Sequence, residues 1–224
     1  MGLTDLIFPK KCFGCGKEGV YLCSACLSEL ERPIPICPVC QRLCPTGFTH
    51  QRCQGEYLLD GLTSIWPYAG SMRKALLAIK YKFAFEVAKE LGETSCEFIK
   101  KEKFFPSSPV LVPVPLHRLR KNWRGFNQVE EIGRVIAKNM GWCFMPDLLI
   151  RTEMGTPQTE LKRKERLKRV KGVFAVNPNY RIQKSQYLLF DDVWTTGATL
   201  KEAAKTLKLA GARQIWGLTL ARGR

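Results

Sequence analysis

The sequence predicts an α/β protein: a parallel sheet flanked by helices, preceded by a small zinc-ribbon module at the N-terminus. Three observations predict it. Eight of the ten cysteines fall between positions 12 and 53, mostly in pairs with metal-ligand spacing. Beyond them, apolar runs of strand length alternate with apolar stripes of helical period. One of those runs ends on two adjacent acids, then hydroxyl and glycine residues, then a helix. With 224 residues, 45% of them hydrophobic, the chain can bury a core, which argues against disorder. It has room for one α/β domain of roughly 150–200 residues and a small appended module. The expected division is residues 1–56 for the cysteine module and 57–224 for the α/β domain.

The cysteines are spaced Cys12-x2-Cys15-x7-Cys23-x2-Cys26, then Cys37-x2-Cys40, Cys44 and Cys53. A Cys-x2-Cys pair is a knuckle whose thiolates point into one site, and two knuckles supply the four ligands of a structural zinc. Cys12, Cys15, Cys23 and Cys26 therefore form one expected site. Gly14 and Gly16 serve the tight backbone turns of its first knuckle. The second site is less regular. His50-x2-Cys53 has knuckle spacing with an imidazole in place of one thiolate, so Cys37, Cys40, His50 and Cys53 are the preferred ligands and Cys44 is the rival to His50. A disulfide framework would need an exporting signal, and a redox motif would need one pair rather than several. So short a segment cannot fold on an apolar core of its own, so metal would supply its stability. Few basic residues lie within 12–53, which favours a structural or protein-contact role for the module.

Along the second part, 57–70 reads as strand and turn and 72–101 as two helices, with Met72, Leu76, Leu77, Ile79, Val87, Leu91 and Phe98 facing a core. The run VLVPVP at 110–115 fits a buried parallel strand, ended and stiffened by Pro113 and Pro115. A helix is expected over 127–140, with Asn127 and Glu130 at capping-box spacing, Ile132, Val135 and Ile136 inward, and Gly141 closing it. Short strands are expected at 142–145 and 173–176, and others at 187–190 and 214–220. Leu200, Ala203, Ala204 and Leu207 mark the last helix, which Gly211 ends.

The stretch SQYLLFDDVWTTGATL carries the most specific chemistry. Leu188, Leu189 and Phe190 bury a strand, and ligands of open α/β sheets bind beyond strand carboxyl ends. Asp191 and Asp192 stand there and can accept hydrogen bonds from two vicinal ribose hydroxyls. Thr195, Thr196, Gly197, Ala198 and Thr199 follow, with backbone N–H groups and hydroxyls able to wrap a phosphate at a helix N-terminus. Diol and phosphate read a few ångströms apart match a ribose 5-phosphate. A P-loop would need a lysine after its glycine, where Ala198 stands, and a dinucleotide site has a different glycine pattern.

The chain carries 36 Lys and Arg against 20 Asp and Glu, a formal charge of +16. That excess favours polyanionic partners. It is concentrated in 117–124, HRLRKNWR, and 161–171, LKRKERLKRVK. Lys162, Arg163, Lys164, Arg166, Lys168 and Arg169 are the candidates for contact with nucleic acid, with Trp123, Phe126 and Trp142 as possible stacking groups. The opening residues show no apolar run behind a basic stretch, and no run approaches the ~20 residues of a membrane span. A cytoplasmic protein with reduced thiols is expected, peripheral at the inner membrane at most through partners.

The motif at 188–200 is similar to the phosphoribosyl-diphosphate (PRPP) signature of type I phosphoribosyltransferases. Taken with the cysteine module, VPVPLHRLRKNWRGFNQ at 112–128 and QTELKRKERLKRVKGVF at 158–174, it resembles the ComF family of competence proteins over nearly the whole chain. His50 in place of a cysteine, and the additional Cys44, depart from the family pattern. The resemblance implies a type I phosphoribosyltransferase-like fold and a role in natural transformation, handling imported single-stranded DNA alongside other DNA-uptake proteins. For a transfer reaction Asp191, Asp192 and Arg124 are the expected catalytic residues. His117 and Arg118 would join Asp191, Asp192 and residues 195–199 in holding PRPP with Mg²⁺. The stretch with Gln158, Lys162 and Arg166 would close over the site. The alternatives are an active phosphoribosyltransferase with an unidentified base or amine acceptor, and a nucleobase salvage enzyme.

Overall fold

The computed structural model describes residues 10–79, 84–102, 108–116, 125–152, 172–183 and 185–223. Its elements, in chain order, are helix α1 (Ser24–Ser28), a 3-10 turn (Gln51–Cys53), strand β1 (Gly61–Pro67), helices α2 (Gly70–Ala78) and α3 (Ala84–Lys101), β2 (Val110–Pro113), α4 (Gln128–Met140), β3 (Cys143–Phe144), β4 (Leu149–Arg151), β5 (Phe174–Val176), β6 (Gln186–Trp194), α5 (Ala198–Leu209) and β7 (Gln214–Arg222).

Five strands form one sheet in the order β1-β7-β6-β2-β3, and every neighbouring pair is parallel. All their carboxyl ends therefore lie along one edge. Strand β6 is central, and its run Tyr187–Phe190 is buried. Its alternating side chains serve two cores, because successive residues of a strand point to opposite faces. Leu188 and Phe190 join Ile65, Leu111, Trp216 and Leu218 under α2, α3 and α4, through Met72, Leu76, Val87, Leu91, Ile132 and Ile136. Tyr187 and Leu189 join Leu62, Val112 and Ile215 under α5, through Leu200, Ala203, Ala204 and Leu207. A sheet sealed on both faces leaves its carboxyl edge as the natural place for a ligand.

The helical stripes are where the sequence puts them. Three expectations differ. The strand expected to end at Phe190 continues as β6 through Asp191 and Asp192 to Trp194, because β7 stays paired with it as far as Trp194 opposite Arg222. Asn127 does cap α4, but its Oδ1 accepts from the Val129 N–H at 3.1 Å, while Glu130 pairs with Arg134 at 2.8 Å instead of closing a capping box. The strand expected at 173–176 is present as β5, yet it joins an unforeseen partner, β4, in a separate antiparallel pair. This pair is a neck. The Thr152 N–H donates to the Val173 carbonyl at 2.8 Å and the Thr152 hydroxyl to the Gly172 carbonyl at 2.8 Å, so Thr152 and Gly172, which flank residues 153–171 in the sequence, lie side by side. Trp142 is buried in the core and Phe126 packs against it, so neither is a surface stacking platform; Trp123 lies outside the described residues.

The cysteine-rich segment packs on the sheet domain. Backbone N–H groups of Tyr21 and Leu22 donate to one carboxylate oxygen of Glu90 on α3, at 2.8 and 2.7 Å. Tyr21 and Leu22 belong to the same core cluster as α2, α3 and α4. Phe48 meets the Trp216 ring edge-on at 4.7 Å. No helix among the described residues is long and apolar enough to cross a membrane.

Candidate functional site

The acids lie within the last four residues of β6, at the carboxyl edge of the sheet, and neighbours meet them there. Strand β2 runs beside β6 with Pro113 opposite Phe190, and the Val114 N–H continues the ladder to the Phe190 carbonyl at 2.8 Å. The chain leaving VPVP therefore starts next to Asp191. Asp192 accepts from Gln128 Nε2 at 3.2 Å, at the start of α4. Asp191 Oδ1 accepts from the Asp192 N–H at 2.9 Å. Burial pushes the Asp191 carboxyl well above the usual carboxylate range, and the charge of Asp192 adds to it. The Asp192 N–H and the guanidinium of Arg151, on the neck strand β4, partly offset that rise. Two neighbouring carboxylates, one of them poorly solvated, await a partner that donates hydrogen bonds or carries positive charge.

After Trp194 the chain turns through 195–199. Thr195 and Thr196 are exposed, Gly197 is buried and Ala198 and Thr199 are half-buried. Gly197 caps α5 with φ of +72°. A Cβ there would also come within 2.1 Å of the Trp194 ring, so both the backbone and the space demand glycine. No side chain caps α5. The first helical bond runs from the Lys201 N–H to the Gly197 carbonyl, leaving the N–H groups of Thr199 and Leu200 ahead of it. The Ala198 N–H is met by the Thr196 hydroxyl at 3.3 Å. An uncapped helix start with hydroxyls around it has the donors that an anion could use. The acids, in the last part of β6, and the helix start, after the loop that follows it, thus both lie toward the carboxyl edge of the sheet. His117, Arg118 and Arg124 lie outside the described residues, as do Gln158, Lys162, Arg163, Lys164, Arg166, Lys168 and Arg169.

The cysteines assemble into two groups that could each hold a metal ion: Cys12, Cys15, Cys23 and Cys26, and Cys37, Cys40, His50 and Cys53. In each, the four ligand atoms lie within 4.8 Å of one another. A tetrahedral zinc with Zn–S of about 2.3 Å gives S···S edges of roughly 3.8 Å, and S···N edges of roughly 3.6 Å to an imidazole. Cys15 and Cys23 sulfurs stand 3.6 Å apart, and Cys40 Sγ stands 3.4 Å from His50 Nδ1. Both donor sets fit zinc.

In the first group, burial pushes the Cys12 thiol up, but backbone N–H groups of Cys23, Cys15 and Gly14 outweigh it and bring it down to about 6. Hydrogen bonding to Cys23, then burial, hold Cys26 up at about 12. Four packed thiols cannot all ionise without a cation among them, which is the reason such a cluster wants a dication. Gly16 takes the turn with φ of +79°, whereas Gly14 is glycine for room: a Cβ would stand 2.4 Å from the Cys26 sulfur.

In the second group the imidazole is oriented from behind. His50 Nε2 lies 3.1 Å from the Leu43 carbonyl, which fixes Nε2 as the N–H and turns Nδ1 to the thiolates. Cys44 stays out of the group; its sulfur lies 3.5 Å from the Thr46 hydroxyl. This group reaches the loop at 195–199. Gln41 Nε2, one residue past the Cys37–Cys40 knuckle, donates to the Thr196 carbonyl at 3.2 Å. Lys201, in the first turn of α5, lies with its amine 5.6 Å from the Trp194 ring centre. Burial lowers its pKa, and the charges of Cys37 and Cys40 counter that. Gln41, Gln128, Arg151 and Lys201 were not legible as site residues, because each partner lies far along the chain.

The chain is 32% identical to the competence protein ComFC of Streptococcus pneumoniae over 206 residues, covering 90% of this chain and 87% of that protein. It belongs to the ComF family of competence proteins. Competence protein F of Haemophilus influenzae is 27% identical over 94% of this chain and 90% of its own length. The DNA utilization protein YhgH of Escherichia coli K12 is 25% identical over 88% and 89%. No family model matches the chain. Among solved structures, the glutamine PRPP amidotransferase of B. subtilis complexed with ADP and GMP aligns at a TM-score of 0.43 and 15% identity, over 64% of this chain and 30% of that one. Adenine phosphoribosyltransferase from Leishmania tarentolae aligns at 0.35 and 16%, over 61% and 71%.

Proposed function

We propose that this ComF-family chain acts in DNA uptake, binds PRPP or a related ribose 5-phosphate at the end of β6, and holds single-stranded DNA on its basic stretch. The observation that carries the reading is the placement of Asp191 and Asp192 in the last part of β6, at the carboxyl edge of a parallel sheet, with the uncapped start of α5 following after a short loop. In this reading the two acids take the ribose hydroxyls, and Gln128 and Arg151 hold them in place. Residues 195–199 take the 5-phosphate through N–H groups and hydroxyls, with Gly197 letting the chain approach. His117, Arg118 and Arg124, which follow VPVP in the sequence, would take the pyrophosphate. Mg²⁺, held by the acids, would supply charge for the phosphates. Zinc at the two cysteine groups is structural: it holds the N-terminal segment folded and docked. The DNA contacts would fall to Lys162, Arg163, Lys164, Arg166, Lys168 and Arg169, which lie in the sequence between β4 and β5.

Titration of the full chain with PRPP, with and without Mg²⁺ and single-stranded DNA, tests the reading. Saturable binding that Asp191→Ala abolishes supports it; no binding by the native chain rejects it. Neutralising Lys162, Arg163 and Lys164 together should weaken single-strand binding and flatten its salt dependence, and unchanged affinity would remove the DNA role of that stretch. Pyrophosphate release from PRPP with a base or amine would replace the binding role with an enzymatic one.

A further inference from the structure

The two Cys-x2-Cys knuckles at Cys12–Cys15 and Cys37–Cys40 have the same backbone. Gly16 N–H donates to the Cys12 carbonyl at 2.9 Å, and Gln41 N–H to the Cys37 carbonyl at 2.9 Å. Each puts the residue after its second cysteine in the left-handed region, Gly16 at +79° and Gln41 at +60°. Glycine takes that conformation without strain; glutamine does not. Gln41 is the one non-glycine among the described residues with a positive φ. A side chain kept at a strained position calls for a reason outside the knuckle. The structure offers one: its Nε2 donates to the Thr196 carbonyl, in the middle of the loop after β6. The second cysteine group thus touches the loop at Thr196 through Gln41. Gly16, at the matching position of the first knuckle, has no side chain to make such a contact.

We propose that Gln41 is a positioning residue through which the metal state of the Cys37–Cys40–His50–Cys53 group and occupancy of the 195–199 loop are linked. It rests on the reading of that loop as a ribose 5-phosphate site. With the group closed on a metal, the knuckle fixes Gln41, and the Thr196 carbonyl is turned away from the phosphate so that the N–H groups of the loop point inward. With the group open, Gln41 is released and the loop loses that restraint. Linkage is reciprocal: whatever factor metal adds to ligand affinity, ligand adds to metal retention at this group alone.

Gln41→Gly tests this with a sign that a purely structural role would not give. Glycine relieves the left-handed strain, so the variant should hold as many zinc ions as the native chain and melt at the same temperature or higher. Its affinity for ribose 5-phosphate should nevertheless fall by about three- to tenfold, the effect of one hydrogen bond. In the native chain, ribose 5-phosphate should slow release of one of two zinc ions to a chromogenic chelator by a matching factor, and Gln41→Gly should remove that protection. Ligand binding with no protection of either zinc, or a Gln41→Gly variant with native affinity, overturns the linkage and leaves the loop reading standing. Absence of ribose 5-phosphate binding by the native chain overturns both.

Discussion

The two cysteine groups are built on the same knuckle and make different contacts. The first is all sulfur, with Cys12, Cys23 and Cys26 buried, and it merges with the main core through Tyr21 and Leu22. Its anchor is Glu90, a carboxylate on the far helix α3. The second carries an imidazole, has Cys40, His50 and Cys53 only half-buried, and reaches the loop through Gln41. Burial and anchoring make the first group part of the scaffold, while the second touches the loop at 195–199. Chemical likeness of two metal sites says little about their roles; what each touches says more.

Breaking the first group should have the largest effect. Cys26→Ser leaves three thiols facing each other beside a buried hydroxyl, and the segment through Leu22 loses its fastening. We expect loss of one zinc and of about 4 kcal/mol or more, which for a chain of this size lowers Tm by roughly 10 °C. Cys53→Ser, in the half-buried group, should also lose one zinc but lower Tm by far less. Metal analysis and calorimetry on the two variants check this, and equal Tm losses would dissolve the distinction between the groups.

Next in size is Gly197→Val, which strikes the loop itself. The left-handed backbone costs a β-branched residue about 1–2 kcal/mol, and displacing the Trp194 ring costs about 1–3 more. The chain should still fold with both metals bound but should bind no ribose 5-phosphate. Chemical denaturation and ligand titration separate the two effects.

Much of this was legible because it is periodic or contiguous. The stripes of α4 and α5, the buried run of β6 and the cysteine spacings each repeat at the period of the structure they form. The preference for His50 over Cys44 followed from knuckle spacing alone. What was not legible joins residues far apart: Gln41 with Thr196, Gln128 with Asp192, Tyr21 with Glu90. No local pattern marks such pairs. The β4–β5 pair escaped for a related reason, since three-residue strands separated by the basic stretch carry no period to read. Gly14 was assigned to a turn, although its role is to make room for the Cys26 sulfur. The one local clue to a cross-domain contact was Gln41, a glutamine where the first knuckle has glycine.

Glu90→Ala sharpens the contrast from the scaffold side. It strands two backbone N–H groups that a carboxylate now satisfies, each such bond contributing about 1.5–3 kcal/mol. Stability should fall by a few kcal/mol and amide exchange at Tyr21 and Leu22 should rise, while ribose 5-phosphate affinity stays near native because the second group is untouched. A large loss of affinity would mean that the first group also steers the loop.

The smallest effect is a pH slope set by Asp191. Its carboxyl is raised by burial and by Asp192, so the folded chain keeps a proton there that the unfolded chain releases near pH 4. The folded state then binds more protons across that window, and stability must fall as pH rises from about 4 to the raised value and level off above it. Asp191→Asn carries no such proton, so the variant should gain on the native chain across the window, measured by urea denaturation without Mg²⁺. A carboxylate that opposes folding at neutral pH is poor scaffold and good site, because a ligand supplying hydroxyl donors restores what burial removes. Saturating ribose 5-phosphate should therefore shrink the slope of the native chain and leave that of Asp191→Asn unchanged; a native slope indifferent to ligand would place the sugar elsewhere.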